Sequence, residues 1–272
     1  MPTPTVSHTP SSALDDTLND TLDARHSELL QHHGISTKVA VARGYISLSK
    51  VKCGATWKKQ NRFVGAQALL LQGLIVPTFG IHGQPTDPKI VPDFKRENGG
   101  GGVIKFEEAH MSSPTLDLHP LAYSLLTKAG TPWFYTTNIL HSDALVSMGY
   151  PAFTLSEGNG THTGDKAVAM YHLAVEFQEH VNNHEEEHLH VLVSDEFPDL
   201  RSNRYDMLAA MAQVLQQREA DVVTIHPQSW GNAIGESRVQ DIFKRLSRSG
   251  LMAATGEGAD VEGENAIHTP KI

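Results

Sequence analysis

The sequence predicts an α/β protein in which a parallel sheet with helical crossovers follows a smaller mixed α+β region. Two observations predict it. From Thr131 onward, short apolar runs alternate with longer helix-like stretches, in the order WFYTTNIL, SDALVSMG, PAFTLSEG, DKAVAMYHLAVEFQEHV, HLHVLVSD, RYDMLAAMAQVLQQREA and DVVTIHP. That rhythm belongs to strands joined by helical crossovers. The short runs are also apolar throughout instead of alternating with polar residues, as expected of strands covered on both faces.

Residues 1–21 are rich in Pro, Thr, Ser and Asp without an apolar period, which predicts a disordered arm. Residues 22–130 are expected to form the mixed α+β region. Leu22 to His33 reads as a short helix ended by Gly34, VARGYISLSK as a strand, Ala66 to Gln72 as a helix, Leu74 to Phe79 as a strand and GIHGQPTDPK as a turn-rich loop. Four glycines, Gly99 to Gly102, precede the strand-like VIKFEE. No GK[ST] follows them and no helix opens directly after them, so a hairpin loop is favoured over a phosphate cradle. Residues 131–252 hold the alternating segment. Residues 253–272 are acidic and Gly-rich, and are expected to form a disordered tail.

Composition narrows the function classes. The chain has 272 residues, 39% of them hydrophobic and 19% charged, which suits a globular core. It contains no apolar run of about 18 residues, the length that spans a bilayer. The opening residues lack the order of a secretory signal, and the single Cys53 has no internal disulfide partner. A reducing, cytoplasmic setting is expected, with Cys53 as a neutral thiol more than a nucleophile. The net charge of −9 argues against broad adhesion to nucleic acid, which relies on clustered Lys and Arg. One local patch departs from this: Lys50, Lys52, Lys58, Lys59 and Arg62 surround Trp57 and Phe63. Basic residues interleaved with aromatics suit a single-strand groove, and a solvated β-hairpin face accounts for the same letters.

Several motifs carry little. HEEEH at His184 to His188 matches the zinc-protease pattern, with Glu185 in the general-base position and His180 one turn upstream, but it lies at the polar end of a crossover, where a solvated helix end explains it. The sequence has no G-x-S-x-G elbow, and SEGNGTHTGD does not match a dinucleotide-binding loop.

In parallel sheets, functional groups gather beyond the carboxyl ends of the strands. That rule places Thr137 and Asn138, Ser156 and Glu157, and Ser194, Asp195 and Glu196 along one edge.

ARGYISLS, GLIVPTFG, VPDF, VIKFEE, LDLHP, SDALVSMG and VLVSD followed by ADVVTIHP occur in an order that resembles a known family. It is the Toprim-like (topoisomerase-primase) domain of unknown function found in replication proteins of phages, plasmids and other mobile elements, often joined to helicase or primase modules. The likeness runs from about residue 25 to about residue 250. It implies a Toprim-like sheet, a role in DNA replication and an acidic site for Mg²⁺. Active members would carry a glutamate where Thr137 stands, ahead of a helix marked here by Ser142-Asp143-Ala144-Leu145, and Asp-x-Asp where this chain has Asp195-Glu196-Phe197. A hydroxyl and a phenyl ring supply neither a base nor a cation ligand. The resemblance therefore implies a degenerate site in a protein acting by binding single-stranded nucleic acid or a replication helicase or primase in trans. The alternative is a metal-dependent nuclease or nucleotidyl transferase with a rearranged site, Glu157, Asp195 and Glu196 being catalytic and Asp195 and Glu157 holding Mg²⁺ or Mn²⁺. A rival register takes Glu157 as the catalytic strand end.

Overall fold

The computed structural model describes residues 18, 20–63, 71–97, 103–112, 114–126, 131–156, 190–193, 211 and 222–225. Most of the expected arm over 1–21, the acidic tail, most of the helix expected over Ala66 to Gln72, the four glycines, the HEEEH segment and all but Met211 of the two long crossover stretches lie outside the described residues. The borders correct two expectations: Leu18, Asp20 and Thr21 are helical, with the Leu22 amide donating to the Leu18 carbonyl, and Leu71 and Gln72 are not.

The chain opens with α1 (Ala24–His32), whose first turn is capped by the Asp23 carboxylate accepting from the His26 amide. Helix α2 (Thr37–Arg43) follows, capped by Ser36 and closed by Gly44 at φ 78°. The VARGYISLSK run is thus not one strand: its first three residues, Val41 to Arg43, finish α2, whose buried residues are Val39, Ala40 and Arg43. Gly44 supplies the left-handed turn that stops the helix, leaving only β1 (Ile46–Ser47) extended before a 3-10 turn, Leu48–Lys50. A second correction concerns the basic segment. It contains α3 (Gly54–Gln60), not a β-hairpin.

Strands β2 (Gly73–Val76), β3 (Lys89–Pro92) and β6 (Glu107–Glu108) join β1 in an antiparallel sheet of order β1-β2-β3-β6, while β4 (Arg96–Glu97) and β5 (Val103–Ile104) form a separate ribbon. VIKFEE is therefore split between two sheets. Strand β2 is buried along its whole length because it serves two cores. Leu74 and Val76 face the main core, whereas Ile75 joins Leu48, Phe63, Leu71 and Ile90 on the other side.

The second sheet has the order β11-β10-β8-β9-β7, from β7 (Thr115–Leu118), β8 (Trp133–Thr136), β9 (Ala152–Ser156), β10 (His190–Val193) and β11 (Val222–Ile225). β8 to β11 are parallel, as the alternation predicted. β7 is antiparallel to β9, so the sheet is mixed and its edge comes from the segment before residue 131. The short α4 (Tyr123–Leu126) precedes β8, and α5 (Ile139–Ser147) is the crossover from β8 to β9. Every position of α5 from Ile139 to Val146 is buried. It behaves as an interior helix and lacks an amphipathic stripe.

The main core is continuous across the two sheets, from Leu30, Val39 and Tyr45 through Leu74 and Leu118 to Trp133, Phe153 and Val191. No helix among the described residues is long and apolar enough to cross a membrane.

Candidate functional site

The parallel strands end on one side of the sheet. Register pairs Thr136 with Thr154 of β9 and with Val193 of β10, so the residues following all three strands share an edge. The chain passes from β8 to β9 on one side and later to β10 on the other, which makes the β8–β10 boundary a topological switch point of the kind where α/β sheets bind ligands. Thr137 follows β8 at this boundary, and Asp195 follows β10 by two residues. Glu157, Ser194, Asp195 and Glu196 lie outside the described residues.

The described turn that follows β8 is neutral. Thr136 Oγ1 accepts from the Asn138 amide at 3.1 Å, and Asn138 Oδ1 accepts from the Leu140 amide at 3.0 Å to cap α5. Both side chains are spent on shaping the turn. Thr137 is 9% exposed and occupies the position where the resemblance implies a glutamate.

At the end of β9 a cation reaches in from the other sheet. Lys89 of β3 donates to Ser156 Oγ at 2.6 Å and pairs with Glu108 at 3.0 Å, while Ser156 donates to the same carboxylate at 2.9 Å. The cavity beside them is about 10 Å³, room for no more than a single water. The cluster joins two sheets and leaves no space for a substrate. Sequence reading missed Lys89 because nothing local marks a lysine that pairs with Glu108 and Ser156 far along the chain.

Mg²⁺ or Mn²⁺ requires several hard oxygens, carboxylates foremost. The described edge offers two threonines, an asparagine and a serine, and the two carboxylates beside Ser156, Glu108 and Asp87, are already paired with Lys89 and Arg62. This donor set does not fit a divalent cation. Among the described residues, no three His, Cys, Asp or Glu side chains converge on a point.

Beneath the edge lies a buried ionic network that unites four pieces of the sequence resemblance. Arg43 of ARGY donates Nε to Asp143 Oδ2 at 2.8 Å, pairs through Nη2 with the same carboxylate, and gives Nη1 to both oxygens of Asp117 at 2.8 and 2.9 Å. Asp143 belongs to SDAL and Asp117 to LDLHP. Tyr45 donates its hydroxyl to Asp143 at 2.6 Å, and the Phe79 amide of GLIVPTFG donates to Asp117 at 2.8 Å. Burial opposes the charge on Arg43, yet the fields of Asp117 and Asp143 outweigh it and hold the guanidinium above its ordinary range. Burial, reinforced by the Asp143 carboxylate, pushes the Tyr45 hydroxyl well up, so it stays a donor. Burial also raises Asp117 in spite of Arg43. The motif marking α5 thus serves the interior, not the sheet edge.

His119 borders this network. Its Nδ1 accepts from the Leu121 amide at 3.0 Å, which assigns the proton to Nε2, 3.1 Å from the Val39 carbonyl. Burial lowers its pKa. The folded state therefore resists a proton that the unfolded chain accepts, so stability should fall as pH drops below about 6.5, the ordinary histidine value. Urea titrations at pH 7.5 and 5.5 should show a smaller acid loss in His119→Asn than in the wild type; equal losses would assign the effect elsewhere.

The basic segment divides. Lys50, Lys52, Lys59 and Arg62 are exposed, and Arg62 pairs with Asp87. Lys58 is buried and donates to the Leu71 carbonyl at 3.0 Å. Trp57 stacks on buried Phe63, centroids 5.8 Å apart, and closes the smaller core. Lys58, Trp57 and Phe63 of the patch read from sequence are therefore turned to structural use. Cys53 is exposed and starts α3 at φ 55°.

The chain matches the crystal structure of the zinc-binding and RNA polymerase domains of the Aquifex aeolicus primase with a TM-score of 0.52 and 11% sequence identity, over 89% of this chain and 59% of that one. It thus spans less than two thirds of the chain it matches, and the likeness is one of fold. No protein-family model and no curated protein matches the sequence.

Proposed function

We propose that this protein is a primase-related, Toprim-like module of DNA replication that acts by binding single-stranded nucleic acid or a replication partner, with a metal site reduced below what phosphoryl transfer needs. The observation that carries the proposal is the pairing of a primase-like fold with a hydroxyl, Thr137, at the strand end bordering the switch point. A phosphoryl-transfer site concentrates carboxylates around Mg²⁺ to offset the charge that develops on phosphate. A neutral turn cannot supply that field. A nucleic-acid surface needs only cations and stacking groups, and those lie elsewhere on the molecule.

The test is binding of fluorescein-labelled single-stranded DNA by anisotropy, with and without Mn²⁺, beside assays for nicking and primer synthesis. The expected outcome is binding that weakens steeply as salt rises from about 50 to 200 mM, without turnover in Mg²⁺ or Mn²⁺. Synthesis or nicking that depends on Mg²⁺ or Mn²⁺ and disappears in Asp195→Ala would instead support the metal-dependent enzyme, with Glu157 and Glu196 as the further acids to replace.

A further inference from the structure

A second opening lies away from the sheet edge, between α1 and the end of β3. It is a cavity of about 510 Å³, lined by Arg25, Leu29, His32, Val91, Pro92 and Asp93, with His26 and Glu28 completing the wall. That volume falls within the range of ordinary ligand pockets.

Its wall is held rigidly. His26 Nε2 donates to Asp93 Oδ1 at 2.8 Å, and its Nδ1 lies 2.7 Å from Ser47 Oγ, which in turn accepts from the Asp23 amide at 2.8 Å. Ser47 is fully buried, so the Ser-His-Asp chain is a brace and not a nucleophile. The brace ties α1, β1 and the end of β3 to one another.

Next to the cavity wall stands an exposed aromatic ring. Phe94, directly after Asp93, is 68% exposed. Arg25 holds its guanidinium 5.7 Å from the Phe94 centroid and bonds the Asp93 backbone carbonyl. Arg25 lies 3.7 Å from the Asp93 carboxylate, which also accepts from His26. A cation beside an open aromatic ring, above an apolar floor of Leu29, Val91 and Pro92, offers both surfaces that a nucleotide presents: a flat base and a phosphate.

Exposed cations share this end of the sheet. Register pairs Ser47 with Leu74 and Gly73 with Pro92, so the chain leaving β1 toward Lys50 and Lys52 emerges where β3 ends at Pro92, two residues before Phe94 and three before the exposed Lys95. A strand running from Arg25 past Phe94 toward these lysines would meet positive charge along its backbone.

We infer that the cavity between α1 and the end of β3 binds one unpaired nucleotide of a single-stranded nucleic acid, its base stacked on Phe94 and its phosphate held by Arg25. The inference rests on the nucleic-acid reading above and gives it a location that neither the sequence-derived basic set nor the sheet edge supplies.

The experiment measures anisotropy of a fluorescein-labelled oligothymidylate, and of the same oligonucleotide carrying abasic sites, against the wild type, Phe94→Ala, Phe94→Trp, Arg25→Ala and Lys59→Ala. Phe94 is open to solvent, so its replacement should leave the melting temperature in place. Phe94→Ala should weaken oligothymidylate binding about ten-fold, the scale of one stacked base, with the salt dependence unchanged. Phe94→Trp should restore it, and the abasic strand should bind wild type and Phe94→Ala alike. Arg25→Ala should reduce the salt slope by about one counterion, while Lys59→Ala should change affinity little. Wild-type binding with Phe94→Ala within two-fold of it would overturn the inference and leave the general reading standing. No wild-type binding to any strand would overturn both the inference and the nucleic-acid reading it rests on.

Discussion

Arg43→Met should destabilise the protein by about 3–5 kcal/mol, the usual cost of removing one partner from a buried ionic cluster. The side chain of Arg43 is completely buried and meets two carboxylates, Asp117 and Asp143, that are themselves at most 1% exposed. Met fills most of the space but leaves both acids facing each other without a counter-charge. For a chain of this size the loss corresponds to roughly 6–20 °C in melting temperature. The cause is separable from packing by adding Asp117→Asn and Asp143→Asn to Arg43→Met, which should recover much of the loss because the uncompensated charge is gone. A single variant that melts within about 2 °C of wild type would mean that the network contributes little. Arg43→Lys should fall between, because an ammonium cannot reproduce the forked contacts to two acids at once.

Gly73→Ala should be the second most damaging change, and for a different reason. A Cβ at residue 73 would sit 2.1 Å from the Val91 carbonyl oxygen and 2.9 Å from both the Val91 carbonyl carbon and Ile90 Cγ2. The nearest obstacle is backbone of the neighbouring strand, which cannot swing aside as a long side chain would. β2 and β3 must separate, and overpacking of this kind costs about 1–3 kcal/mol or more. The displacement would reach beyond stability. β3 carries Lys89 at one end and leads at the other into Asp93 and Phe94, so the variant should also lose oligonucleotide affinity in proportion to the movement of that end. Unchanged melting and unchanged binding together would show that the two strands are looser than their register implies.

The rhythm of strand and helix after Thr131 was legible because it is written locally. Apolar runs such as WFYT and HVLV are too short for buried helices and too uniform for half-exposed strands, and each became a buried parallel strand. The basic segment misled for the converse reason. Its letters record charge and aromaticity but not direction, and the turn of α3 sends Lys58 and Trp57 inward while Lys59 points out. VARGYISLSK misled because β-branched residues occur in both elements, and only the Ser36 cap upstream and Gly44 within the run show that its first three residues end a helix.

The sequence by itself determined the α/β class, the run of parallel strands and the hydroxyl at Thr137, since periodicity and residue identity need no partner to be read. Only the tertiary structure decided that Arg43 joins Asp117 and Asp143, 74 and 100 positions away, that β7 closes the sheet in the antiparallel sense, and that Phe94 stands open beside Arg25. The physical reason is that a buried charge must find its counter-charge, and a strand its neighbour, through space. No local pattern records which distant residue will be there.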